Sequence, residues 1–186
     1  KPATRDRLWA RSRRHDMPRH AVPLGTPDLS RFARTLARMG FVVFSVDYRL
    51  GPEHPYPAPL EDVSRAFCWV TEHADEHGAD LSNLVLAGES AGANLILSLM
   101  ASTLGERPES FAKEVFDTRV VPRAVLPMCG ILQVSDIERY ARSGAPWIAM
   151  PALRDAASSY VGKVASRAPS PAWMRIFRRS TVRWGA

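Results

Sequence analysis

The chain has 186 residues, of which 46% are apolar and 24% charged, the proportions of one globular domain that can bury roughly 70% of its unfolded surface. This composition excludes a chain disordered throughout, a collagen and a disulfide-stapled miniprotein, and no apolar run approaches the ~18 residues of a membrane span. The net charge of +6 is uneven: residues 1–20 carry +5 and residues 163–186 carry +6, while residues 21–162 carry −5. Basicity therefore belongs to the two ends and not to one face of a folded body, and no nucleic-acid partner is read from it.

Residues 1–23 show no sustained helical or alternating pattern and are expected to form an irregular basic segment. Thr26-Pro27 reads as an N-cap followed by proline at the first helical position, with Asp28 favourable against the helix dipole. Leu29, Phe32, Ala33, Leu36 and Ala37 recur at helical spacing, and Gly40 can close that helix. The apolar, β-branched run from Phe41 to Val46 predicts a strand covered on both faces. Four prolines between Leu50 and Pro59 forbid regular structure. A helix is expected over 60–76, burying Leu60, Val63, Phe67 and Val70 and ending at Gly78.

A short strand over 83–87, a helix over 91–104 and a third strand over 124–128, weakened by Pro127, come next. Helices near 135–142 and 147–161 complete the ordered part. Strand and helix alternate with spacers long enough for crossovers, which predicts an α/β fold with a mainly parallel sheet and helices on both faces. The core is assigned to residues 24–162, and residues 163–186 read as a basic tail. Trp173, Ile176, Phe177, Arg178 and Arg179 in that tail admit an alternative reading, a short basic amphipathic helix docking on membrane or RNA. Cys68 and Cys129, the two cysteines, sit in hydrophobic runs and suit a reduced, cytoplasmic protein.

Gly88-Glu89-Ser90-Ala91-Gly92 fits G-x-S-x-G, with a strand entering and a helix leaving it. That context is what a nucleophile elbow requires. The glycines let the turn be tight enough to strain the serine backbone and lift the Ser90 hydroxyl above the sheet edge. The helix N-terminus there supplies partial positive charge, and the Ala91 N–H can donate to a developing oxyanion. The competing reading is a glycine-rich turn whose serine caps a helix.

Two long stretches carry a resemblance. Asp47-Tyr48-Arg49-Leu50-Gly51-Pro52-Glu53-His54-Pro55-Tyr56-Pro57-Ala58 resembles the D-Y-R-L-x-P-E-H-P-[FY]-P-A segment of the hormone-sensitive-lipase family of bacterial esterases and lipases. The elbow, continued to Asn94, is similar to that family's G-D-S-A-G-G-N, and Leu24-Gly25-Thr26-Pro27 resembles the segment after its oxyanion motif. The resemblance implies an α/β-hydrolase fold, incomplete at both ends, and hydrolysis of carboxylic esters without a cofactor. It assigns Ser90 as nucleophile, with Gly88, Glu89 and Gly92 forming the elbow and Ala91 in the oxyanion hole. The expected partner is a small ester substrate or a hydrophobic ligand.

The chain departs from that family in two places. Where H-G-G-G should precede Gly25, it reads Arg19-His20-Ala21-Val22-Pro23. His15, His20, His54, His73 and His77 all precede Ser90, whereas the family order puts the acid and then the histidine after the serine. No triad acid or base is identified. His54 reads as structural, His73 and His77 as a solvated helix face with no third metal-ligand motif, and Asp136 as a helix cap. These gaps lead to the expectation of a carboxylesterase truncated or frame-shifted at both ends, and to an alternative, a non-catalytic protein that uses the hydrolase pocket to bind a small hydrophobic ligand.

Overall fold

The computed structural model describes residues 6–12, 27–130, 137–144 and 146–165. These fall into two compact units: one holds 6–12, 27–50 and 57–130, and the other holds 51–56, 137–144 and 146–165.

The first unit is built on a four-stranded sheet. Its strands are β1 (Asp6–Ser12), β2 (Phe41–Val46), β3 (Ala79–Glu89) and β4 (Ala124–Met128), in the spatial order β2-β1-β3-β4. The three strands expected from the sequence, β2, β3 and β4, run in one direction, and β3 pairs with β4 in parallel. β1 corrects two expectations. It is a regular strand inside the segment read as irregular, and it pairs antiparallel with both β2 and β3. A strand bonded on both sides takes its conformation from its neighbours, so the short apolar alternation that marks a one-faced strand need not be present.

The helices cover both faces. α1 (Pro27–Arg38) places Phe32, Ala33 and Leu36 against Val43 of β2 and Val85 and Ala87 of β3. Because side chains alternate along a strand, Leu84 and Leu86, both buried to within 1%, point the other way. On that side lie α2 (Ala58–His73), α3 (Ala91–Leu104) and α4 (Ser110–Asp117), packed against one another. α2 buries Leu60, Val63, Phe67 and Val70, the stripe read from the sequence. It starts at Ala58, two residues early, because Pro59 is tolerated in a first turn whose N–H groups have no intrahelical partner. It also stops three residues early, at His73, and the chain turns through Gly78 at φ 67°. α4 was not expected. Its eight residues give only Ala112 and Val115 as buried positions, too short a run for a period to stand out.

One network ties the end of β2 to the start of α2. Arg49 donates from Nε to Asp62 Oδ2 at 2.8 Å, from Nη2 to Asp62 Oδ1 at 2.9 Å, and from its backbone N–H to Oδ2 at 2.9 Å. Nη2 also reaches Glu61 and the Ala58 carbonyl. Partial burial pushes the Asp62 carboxyl up, but the hydrogen bonds and charge of Arg49 outweigh it and hold the group below its ordinary value.

In the second unit, the loop 51–56 lies along α6 (Met150–Ala165), where the Tyr56 N–H donates to the Tyr160 carbonyl at 2.7 Å. A side chain at Gly51 would overlap the Ser159 carbonyl, so only glycine fits there. α5 (Glu138–Arg142) is joined to α6 by Arg154, whose Nε and Nη2 reach the two Glu138 carboxylate oxygens at 2.7 and 2.9 Å. The helix expected over 147–161 begins instead as a tight turn over Trp147–Ala149 before α6. No helix among the described residues is long and apolar enough to cross a membrane.

Candidate active site

β3 ends at Glu89 and α3 begins at Ala91, so one residue makes the whole bend. Ser90 makes it with φ 54° and ψ −114°, outside the small left-handed basin that L-residues tolerate. Backbone held there costs about 1–3 kcal/mol and persists only where the surroundings over-determine it. They do so here. Leu84 and Leu86 before the bend and Leu95 and Leu99 after it are all buried to within 1%. The Ser90 N–H donates to the Met128 carbonyl at 2.9 Å, the last rung of the ladder between β3 and β4.

Gly88 has a steric reason to be glycine. A Cβ there would lie 2.5 Å from the carbonyl carbon and oxygen of Gly92 and 3.0 Å from the Ala93 nitrogen. The incoming strand and the outgoing helix thus touch backbone to backbone, which makes the bend sharp. Gly88 and Gly92 are buried, Glu89 is half-buried, and Ser90 and Ala91 are exposed. The Ser90 side chain makes no capping hydrogen bond to α3, so the helix-cap alternative lacks the contact that defines it. The first turn of α3 carries no acidic residue to neutralise its N-terminus. An exposed serine on a strained bend, at the positive end of a 14-residue helix, gives a geometry that can offer a hydroxyl to an electrophile and stabilise the resulting anion.

The histidines are placed as follows. His73 and His77 lie just before β3 begins, and Ser90 lies just after it ends, so eleven residues of strand separate them from the bend. They lie on a largely solvated face, as expected, and on it they also meet aromatic rings. His73 stacks on Trp69 with centroids 4.4 Å apart and binds the Trp69 carbonyl through Nδ1 at 2.8 Å, and His77 meets Phe44 edge-on at 5.4 Å. His54 is exposed and belongs to the second unit. His15, His20, the 19–26 stretch and Asp136 lie outside the described residues. Among the described residues no group of three His, Cys, Asp or Glu side chains is placed to hold a metal ion.

The sequence reading missed the partner of the bend, the end of β4. The available signal was topological: in parallel sheets, reactive groups gather beyond the carboxyl ends of neighbouring strands, and Met128 and Cys129 stand there beside Ser90.

Residues 23–183 match a family described as alpha/beta hydrolase fold. Over 72 residues the chain is 47% identical to Esterase LipI of Mycobacterium tuberculosis, a match covering 38% of this chain and 22% of that protein. It is 42% identical over 83 residues to hormone-sensitive lipase of Mus musculus, covering 44% of this chain and 10% of the lipase. Among solved structures, a bacterial heroin esterase aligns with a TM-score of 0.65 over 96% of this chain and 62% of its own, at 20% identity, a likeness of fold alone. The chain spans less than a quarter of the length of these two curated relatives.

Proposed function

Because the chain belongs to the alpha/beta hydrolase fold family, we propose that it carries the nucleophile half of a carboxylic ester hydrolase. Ser90 Oγ attacks the ester carbonyl carbon, the Ala91 N–H donates to the oxyanion, and collapse expels the alcohol to leave an acyl-enzyme that water hydrolyses. The observation that carries this reading is the Ser90 backbone at φ 54° and ψ −114° between β3 and α3, with its hydroxyl unused as a cap. The names of the relatives, an esterase and a lipase, support the same substrate class, a small ester.

The proton released by Ser90 needs a base, and no histidine follows Ser90 in the sequence. Loss of triad members lowers turnover by about 10⁴ to 10⁶, so this chain by itself is expected to acylate slowly. That gap also favours the second reading, a non-catalytic binder of a small hydrophobic ligand in the hydrolase pocket. The two free cysteines, Cys68 and Cys129, support placing the protein in a reducing compartment, the cytoplasm.

A fluorophosphonate probe, whose phosphorus takes the place of the ester carbonyl carbon, should label Ser90 as read by peptide mass spectrometry, and Ser90→Ala should remove the adduct. A wild-type chain that stays unlabelled after prolonged exposure at alkaline pH, or a mutant labelled as well as the wild type, would overturn Ser90 as the nucleophile. Saturable binding of an ester without turnover would select the second reading.

A further inference from the structure

We infer that Cys129 is a positioning residue for Ser90, acting through its backbone and not through its thiol. The inference rests on the reading of Ser90 as the nucleophile, and it begins with a coincidence of strain. Among the described residues only three non-glycine residues have positive φ: Ser90 at 54°, Arg119 at 58° and Cys129 at 49°. Two of them are coupled through one hydrogen bond, from the Ser90 N–H to the carbonyl of Met128, the residue before Cys129.

The Met128 carbonyl lies in the peptide plane between Met128 and Cys129. Its direction is set jointly by ψ of Met128 and φ of Cys129. Turning φ of Cys129 negative along the same chain path flips that plane, the change that separates a type II from a type I turn. The carbonyl would then face away from Ser90 and leave its N–H unpaired. The bond from the Ser90 N–H to the Met128 carbonyl completes the Glu89–Met128 pair as the last rung of the ladder between β3 and β4, and no rung follows it to hold the bend. Cys129 is exposed, so burial of its side chain does not impose the left-handed conformation. The hydrogen bond that the conformation permits is the stabilising contact in view. With the Ser90 N–H committed to Met128, donation to an oxyanion falls to Ala91 and the hydroxyl keeps one direction.

The test uses the whole chain and two readouts: hydrogen–deuterium exchange at the Ser90 amide, and the rate of fluorophosphonate labelling. Cys129→Ser should match the wild type within about twofold, because the thiol is not used, and Cys129→Gly, freed of the Cβ penalty that the cysteine bears, should protect Ser90 up to about tenfold better. Cys129→Val adds β-branching to a left-handed position where bulky branched residues are outliers, and should lower both Ser90 protection and labelling severalfold below the wild type. A merely structural role would lower protection across β3 and β4 and not at Ser90 alone. Should the valine variant fail to fold, Cys129→Ala must give less Ser90 protection than Cys129→Gly. A valine variant that behaves as the wild type, a serine variant that falls with it, or an alanine variant equal to glycine would overturn the inference. A wild type that is protected at Ser90 but never labelled would sink the nucleophile reading and leave the exchange data to decide the positioning.

Discussion

Gly88→Ala is the sharpest test of the bend. The added Cβ would sit 2.5 Å from two backbone atoms of Gly92, about 0.9 Å short of the 3.4 Å at which ordinary contact begins. Neither partner is the flexible end of a side chain. Both belong to the first turn of α3, which is anchored by buried Ala93, Asn94 and Leu95. Overpacking of this kind costs about 1–3 kcal/mol, and contact against backbone on a buried helix puts it at the upper end. At roughly 2–4 °C per kcal/mol for a chain of this size, the melting midpoint should drop by about 4–10 °C, followed by circular dichroism. Two other glycines supply the scale. Gly40 has φ 89° and open space, so Gly40→Ala should cost about 1 kcal/mol from conformation alone. Gly105 has neither a positive φ nor a neighbour, so Gly105→Ala should stay within about 0.5 kcal/mol. If Gly88→Ala melts with Gly105→Ala, strand and helix do not meet at the bend as described, and the strain attributed to Ser90 loses its support.

Two further outcomes follow from titrating groups. The Asp62 carboxyl is held below its ordinary 3.8 by Arg49, so its contribution to stability is present above that value and is lost as pH falls through the folded value. Asp62→Asn should therefore be less stable than the wild type at neutral pH and lose less stability on acidification, and parallel urea midpoints down the pH range would contradict the pairing. Cys68 is pushed up to about 11, first by burial and then by Glu114 and Glu72, which leaves about one thiolate in a thousand at pH 8. A disulfide reagent at that pH should find exposed Cys129 fast and half-buried Cys68 slowly; two equally fast thiols would refute the raised value at Cys68.

The parts of the fold that buried a stripe or a run were legible. Leu60, Val63, Phe67 and Val70 gave α2 its face, and the run Phe41–Val46 gave β2, because burial on one side leaves a period in the sequence. β1 was not legible, since its place between β2 and β3 is a long-range pairing that leaves no local period. α4 was lost to brevity. At the candidate site, Gly88, Ser90 and Gly92 could be read because tight backbone contact restricts residue type. Met128 contributes a carbonyl, and every residue has one, so no side chain could have announced its role. Cys129 is hidden for the same reason: what matters there is φ, and only a glycine or asparagine would have signalled it.

The same distinction separates what residues 79–129 can do from what they lack. Holding a serine in a costly conformation is a task for burial. The four leucines buried on either side of Ser90 contribute about 1.5–3 kcal/mol each, together more than the 1–3 kcal/mol of strain at the bend, and all of it is encoded in one strand, one helix and the end of β4. Activating that serine is a task for a proton acceptor within hydrogen-bond reach. His73 and His77, across the length of β3, cannot serve. Presentation of the hydroxyl and its activation are therefore separable here. A chain with the first and without the second should react with a phosphonylating probe only slowly, because attack on phosphorus releases the same hydroxyl proton as attack on an ester carbonyl. Both its labelling and its ester turnover should rise with pH as hydroxide takes that proton in place of a side chain. Rapid labelling or turnover at neutral pH, with no such rise, would mean that a base does reach Ser90, and the division of tasks argued from β3 would be wrong.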